Sequence, residues 1–308
     1  MLDTVETEAL LPYPALAEAL REIVRMKASG EAHAPPRLRL PLGGDATLLV
    51  MPAADPVLAV TKLVTVHPRN AERGLPTIRG EVVAIRAATG ERPGILDGAT
   101  VTARRTAALS LLAAASLAPR PDGPLLIVGA GTQGRAHLEA FREGLGTAKV
   151  AIRSRGTRGA HALAEHARSL GMEAWVVEGN FAEAARGATL IVTATTSEEP
   201  VLPAEVRADT FIAAVGSFRP SMVELPVPLV ARSHVIVDHL EGAREEAGDL
   251  LAAESAGVFD WEGAVALEDA LSRTDRFRGS GRPIVFESVG HALWDLAAAR
   301  LAFAGELY

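Results

Sequence analysis

The feature that most constrains the fold is a glycine pattern, Gly129-Ala130-Gly131-Thr132-Gln133-Gly134, which directly follows the apolar run Leu125-Leu126-Ile127-Val128 and directly precedes a helical pattern from Arg135. Strand, glycine turn and helix in that order make the turn that cradles a dinucleotide pyrophosphate. The first glycine permits the tight turn, the second admits the phosphates to the backbone, and the third lets the helix pack closely on the strand. The helix N-terminus then offers N–H groups that have no intrahelical partner. Because glycine is common and the pattern short, its setting carries the argument. Apolar runs at 125–128, 149–152, 174–177, 190–193, 211–215 and 235–237 alternate with helix-like segments. Such alternation predicts an α/β fold with a Rossmann-type, doubly wound parallel sheet.

The second strand of that domain discriminates between cofactors. An acidic residue about 20 positions after the glycines would bind the ribose 2′-hydroxyl of NAD. The strand ends instead in Arg153-Ser154-Arg155, two guanidinium groups and a hydroxyl that suit the 2′-phosphate of NADPH, with NADH as the second choice. Thr193 and Thr195 follow the fourth strand of the domain, where strand ends meet a cofactor.

The first third of the chain reads differently. Leu16, Leu20, Ile23 and Val24 recur near helical spacing over 13–27, and apolar runs at 47–51, 57–66 and 81–87 are separated by proline and glycine. One leading helix and a sheet are expected there. An Ala- and Leu-rich helix over 102–117 ends at Pro119 and Pro121, which puts the domain boundary between 118 and 119. The expected division is a smaller α+β domain over 1–118, completed by a C-terminal helix within 291–308, and a nucleotide domain over 119–290.

With 308 residues, the chain is long enough for two such domains. Its net charge of −7 is interspersed, with no run of either sign, so no nucleic-acid or membrane partner is expected. Cysteine is absent, which removes disulfides, thiolate nucleophiles and cysteine-ligated zinc. No metal is expected, since His161 and His166 do not share a helix face. The first residues lack a basic-then-apolar leader, and a cytoplasmic location follows as the expectation.

Several segments, in order along nearly the whole chain, resemble the ornithine cyclodeaminase and mu-crystallin family. They are Pro35-Pro36-Arg37, Val60-Thr61-Lys62, Leu96-Asp97-Gly98, the stretch 102–108, the glycine turn, Arg219-Pro220 with Glu224-Leu225, Val237-Asp238, Glu246-Ala247-Gly248-Asp249 and Ser288-Val289-Gly290. The resemblance implies an N-terminal domain that carries substrate and dimer contacts, hence a homodimer. It also implies a cationic cluster for a substrate carboxylate at Arg37, Lys62 and Arg105, with Lys62 and Arg105 catalytic. Arg104 and Arg39 are the alternatives. Lys62 stands out on physical grounds as well, because it interrupts the apolar run 57–66, where an ammonium group needs an anionic partner. The loop Ser288 to Gly290 and Phe218 are expected beside the nicotinamide, and His291 follows that loop.

One departure from the family bears on the reaction. Cyclodeaminases carry an aspartate two residues before the proline of Gly216-Ser217-Phe218-Arg219-Pro220; this chain has Phe218 there, and an apolar ring cannot move protons. Members without that aspartate reduce C=N bonds. The resemblance therefore implies NADPH-dependent reduction of the small cyclic imino acids Δ1-pyrroline-2-carboxylate and Δ1-piperideine-2-carboxylate, to proline and pipecolate. Lys62 or a water is the candidate proton source. The competing readings are an ornithine cyclodeaminase, a related amino acid dehydrogenase, and a non-catalytic, crystallin-like NADPH-binding protein.

Overall fold

The computed structural model describes residues 1–306, apart from the side chains of 71 and 72. It forms two compact units: Met1–Leu109 joined by the C-terminal segment from His291, and Ser110–Gly290.

In the first unit, β1 (Leu38–Gly43), β2 (Ala46–Ala54), β3 (Leu58–Val66), β4 (Ile78–Arg86) and β5 (Gly94–Asp97) form an antiparallel sheet in sequence order. Tight turns produce that meander. Gly43 and Gly44 adopt positive φ between β1 and β2, and the Asp55 carboxylate accepts the N–H groups of Val57 and Leu58 at 2.7 and 2.8 Å between β2 and β3. The register pairs Met51 with Lys62 and Lys62 with Val82. Strand alternation then places Val60, Val64 and Ala84 on the same, buried face. Helix Tyr13–Ser29 buries Leu16, Leu20, Ile23 and Val24, one stripe at helical spacing. Helix Ala292–Ala302 packs against it and against β2, β3 and β4, and most of its length, Trp294 included, is buried.

The second unit holds β6 (Leu125–Val128), β7 (Lys149–Arg153), β8 (Glu173–Val176), β9 (Leu190–Thr193), β10 (Phe211–Ala214), β11 (His234–Val237), β12 (Ala264–Ala266) and β13 (Ile284–Glu287). Every pairing is parallel, and the order is β12-β11-β13-β10-β9-β6-β7-β8. From β6 the chain winds outward through β7 and β8, then returns to β9 on the other side of β6. The order therefore reverses between β6 and β9, and a parallel sheet receives its ligand at the carboxyl ends of the strands flanking such a reversal.

Four strands exceed the sequence expectation. β1 contains Pro41 and is exposed along its length, so it carries no alternation of buried and exposed residues. β5 and β12 are very short, and β13 ends in the acidic Glu287. A short helix, Thr4–Ala9, precedes the expected leading helix and is closed by an Asp3/Glu6 capping box. The division between units falls inside helix Gly98–Leu117, N-terminal to the expected 118/119. Its first half brings Thr102 and Arg105 to the first unit, while Ser110 and Leu111 in its second half meet His137 and Gly144. No helix among the described residues is long and apolar enough to cross a membrane.

Candidate active site

The glycine turn lies at the end of β6, at the reversal point. Gly129 has φ +112°, its N–H donates to the Arg153 carbonyl at 2.8 Å, and a β-carbon on it would meet the Ala194 carbonyl oxygen at 2.4 Å. Gly134 sits on the turn itself, since a β-carbon there would fall 1.9 Å from the Gly129 oxygen. Gly131 is the opposite case: nothing lies within 4 Å of the position its β-carbon would take. Helix Thr132–Leu145 begins at Gly131 with no side-chain cap and no acidic residue in its first turn. Thr132 is exposed and the buried Gln133 Oε1 has no hydrogen-bond partner among the described residues. An open backbone, uncapped N–H groups and space above the middle glycine fit a pyrophosphate.

His137, absent from the sequence reading, pins this helix. It is fully buried between the Gln133 carbonyl and the Ser110 hydroxyl, at 2.8 and 2.9 Å, and burial pushes its imidazole down to about 4. The ring is neutral, and because a carbonyl only accepts, its proton sits on Nδ1.

At the end of β7, Arg153 is half-buried. Its Nη1 donates to the Val177 carbonyl at 3.1 Å, and its guanidinium lies over the Phe181 ring at 5.1 Å. Ser154 is half-buried and Arg155 exposed. Arg153 thus gives one of its donors to the chain after β8, and Arg155 is the exposed group of the three.

Buried carboxylates fix the loops that follow the other strands. Glu224 accepts the N–H of Thr195 at 2.6 Å and of Gly216 at 2.8 Å, tying the chain after β9 to the chain after β10. Asp249 accepts the N–H groups of Glu224 and Leu225. Asp238 accepts from the Ser288 hydroxyl at 2.8 Å and from Gly290 N–H at 2.9 Å, which sets the 288–290 loop. Glu287 is fully buried, and neither oxygen is hydrogen-bonded among the described residues. Burial first, then the charges of Asp249, Glu224 and Asp238, hold it well above the usual carboxyl range, and burial pushes Asp249 up to about 8. Thr193 is buried, with its hydroxyl close enough to Glu224 to favour that carboxylate. Phe218 is half-buried, with the Arg219 guanidinium 5.8 Å from its ring centre.

The cationic residues lie in the first unit. Lys62 projects from β3 into the buried face, 2 % exposed, and its Nζ lies 3.0 and 2.9 Å from the two oxygens of Asp295. Arg105, 5 % exposed, sets Nε 3.4 Å from Asp295 Oδ1, while Nε and Nη1 make no hydrogen bond among the described residues. Arg37 is half-exposed, close enough for its charge to act on Lys62. Burial lowers the Lys62 ammonium to about 8; Asp295 opposes that shift, and Arg105 and Arg37 add to it.

Helical phase separates the two adjacent arginines. Arg104 points the other way, donating to the Leu11 carbonyl at 2.7 Å and stacking on Tyr13 at 3.9 Å. Arg39 is exposed on β1. His291 caps helix Ala292–Ala302 through Nδ1 and meets the Trp294 ring. His161 and His166 pair with Glu178 and Glu139. Asp295 escaped the sequence reading, although its signal was the one that exposed Lys62: a charge interrupting an apolar run.

The sequence matches the ornithine cyclodeaminase/mu-crystallin family over residues 1–304. It is 39% identical over 302 residues to the Δ1-pyrroline-2-carboxylate/Δ1-piperideine-2-carboxylate reductase of Azospirillum brasilense, covering 98% of this chain and 94% of that one. The Δ1-pyrroline-2-carboxylate reductase of Thermococcus litoralis, solved with NADH and L-proline, superposes with a TM-score of 0.91 at 28% identity, over 97% of this chain and 95% of that one. An archaeal alanine dehydrogenase dimer with bound NAD superposes with a TM-score of 0.86 at 30% identity, over 98% and 94% of the two chains. The fold agrees with these matches, and the chain belongs to the ornithine cyclodeaminase/mu-crystallin family.

Proposed function

We propose that the protein is a nicotinamide-dependent oxidoreductase that reduces the C=N bond of cyclic imino acids, Δ1-pyrroline-2-carboxylate to proline and Δ1-piperideine-2-carboxylate to pipecolate. The observation that carries this is Arg105, buried beside Lys62, whose Nε and Nη1 make no hydrogen bond among the described residues. Each unmet buried N–H costs about 1–3 kcal/mol, a cost that a bound carboxylate removes. Of the relatives named above, the Azospirillum protein is named a reductase of both imines and the Thermococcus protein a reductase of Δ1-pyrroline-2-carboxylate.

When bound, the dihydronicotinamide supplies a hydride. The chain's own residues supply the rest: Arg105 and Arg37 hold the carboxylate and so orient C2, and the Lys62 ammonium provides a proton for the ring nitrogen. Phe218 stands where cyclisation of ornithine would need a proton-moving group, which favours reduction over cyclodeamination.

NADPH is the preferred cofactor in this reading, with NADH second. The end of β7 carries Ser154 and the exposed Arg155 and no acid, which suits a 2′-phosphate. The test is a set of initial rates for both imines with NADPH and with NADH, alongside ornithine with the oxidised cofactors. Both imines are expected to turn over, with kcat/KM at least about tenfold higher for NADPH, equivalent to ~1.4 kcal/mol. Proline and ammonia from ornithine, without imine reduction, would overturn the assignment.

A homodimer completes the proposal. Leu38 pairs with Val50 and Val50 with Leu63, so these side chains share the sheet face opposite Lys62. Leu38, Leu40 and Leu63 are exposed there, an apolar face that a second copy of this chain would cover. The archaeal structure described above is a dimer. A solution mass of two chains supports this; a monomer contradicts it.

A further inference from the structure

We propose that Asp295 is a positioning residue for the reduction, gripping the Lys62 ammonium so that Lys62 stays protonated and aimed while Arg105 is left with donors to spare for the substrate carboxylate. The inference rests on the reductase reading and adds to it the residue that keeps the proton source charged.

The geometry supports this division of labour. Both Asp295 oxygens lie within 3.0 Å of Lys62 Nζ, whereas Arg105 Nε stands 3.4 Å from Asp295 Oδ1. Asp295 therefore spends its charge mainly on Lys62. Thr102 Oγ1, 3.4 Å from Nζ, adds a third contact and donates its own proton to the Gly98 carbonyl at 2.7 Å, which leaves its lone pairs toward the ammonium. Trp294 and Leu296, which flank Asp295, are fully buried. The carboxylate thus sits on a helix locked in the core, as positioning requires.

The surroundings of Lys62 decide what losing Asp295 would do. Across the sheet its neighbours are Met51 on β2 and Val82 on β4, neither titratable. Helix Gly98–Leu117 presents Thr102 and Arg105, helix Ala292–Ala302 presents Asp295, and Arg37 is the remaining charge that acts on it. Among the described residues, Asp295 is thus the one acid that acts on Lys62. Burial, Arg105 and Arg37 all favour the neutral amine.

In the reaction, hydride adds to C2, the C=N π pair moves to nitrogen, and nitrogen takes the proton of the Lys62 ammonium. The neutral amine then regains a proton from solvent. Turnover needs protonated Lys62, so kcat/KM falls as pH rises through its pKa, which is about 8 in the protein as it stands. Without the Asp295 charge only the lowering influences remain, and the fall moves to lower pH.

The experiment is a pH profile of kcat/KM for Δ1-pyrroline-2-carboxylate with NADPH in the wild type, Asp295→Asn and Asp295→Glu. The alkaline limb of Asp295→Asn is expected at least one pH unit below that of the wild type, so that its deficit is at least about fivefold larger at pH 8 than at pH 6. Asp295→Glu, which keeps the charge but displaces it, is expected to lose kcat with its limb near the wild-type position. A deficit uniform in pH, with the limb unmoved, would reduce Asp295 to a structural role and overturn the inference. The Lys62 side-chain NMR titration reads the same group without turnover. A wild type that reduces no cyclic imine sinks the reductase reading, whereas an unmoved Lys62 titration in Asp295→Asn sinks this inference alone.

Discussion

Replacing Arg105 with alanine is expected to lower kcat/KM for the cyclic imine by about 10²- to 10³-fold while NADPH binds as in the wild type. The magnitude follows from removing a buried, charge-assisted anchor, which costs about 2–5 kcal/mol, at ~1.4 kcal/mol per factor of ten. Both KM and kcat are expected to suffer, since the same contact that binds the carboxylate also orients C2 toward the hydride. The fold is expected to survive, because Lys62 and Asp295 remain as a balanced pair at 2.9 Å. Arg105→Lys is expected to rescue little, since a single ammonium lacks the planar fork that grips both carboxylate oxygens. Steady-state kinetics on the variant, with a fluorescence titration of NADPH, separate these effects.

Gly134→Val is expected to abolish NADPH binding and destabilise the protein together. Its β-carbon would lie 1.9 Å from the Gly129 carbonyl oxygen and 3.3 Å from Ile127, so helix Thr132–Leu145 must lift away from β6. Such overpacking costs about 1–3 kcal/mol and displaces the N–H groups that face the phosphates. Gly131→Ala is the informative contrast. Its β-carbon meets nothing within 4 Å, so thermal stability should hold while the space kept for the pyrophosphate is lost. A Gly131→Ala protein with unchanged Tm but NADPH affinity reduced about tenfold or more would show that the turn is shaped for a ligand. Unchanged affinity would contradict that.

Much of this was legible in the sequence because burial on both faces leaves a plain mark. The inner strands β6, β9 and β10 are unbroken apolar runs, and the glycine turn needs glycine for reasons of contact that hold in any such fold. Lys62 was legible as a charge in an apolar run. What escaped notice did so for physical reasons. β1 alternates Leu38, Leu40 and Leu42 with Arg39, Pro41 and Gly43, but it includes a proline and is exposed along its length, so burial does not mark it. β13 ends in a buried acid, Glu287, which reads as a solvated residue until the carboxylates around it are seen in space. Arg104 and Arg105 differ only in helical phase, and one residue of rotation sends the first to Tyr13 and the second to Asp295. Arg153 gives one guanidinium nitrogen to the Val177 carbonyl and lies over the Phe181 ring, contacts with distant residues that local sequence does not encode.

The most direct test of the central claim follows the hydride. The wild-type protein would be given Δ1-pyrroline-2-carboxylate and NADPH deuterated at both C4 positions, and the product analysed by mass spectrometry and NMR. The account predicts proline carrying one deuterium, on the α-carbon, for each NADPH oxidised. NADPH oxidation without deuterium on that carbon, or tight NADPH binding with no proline formed, would contradict it.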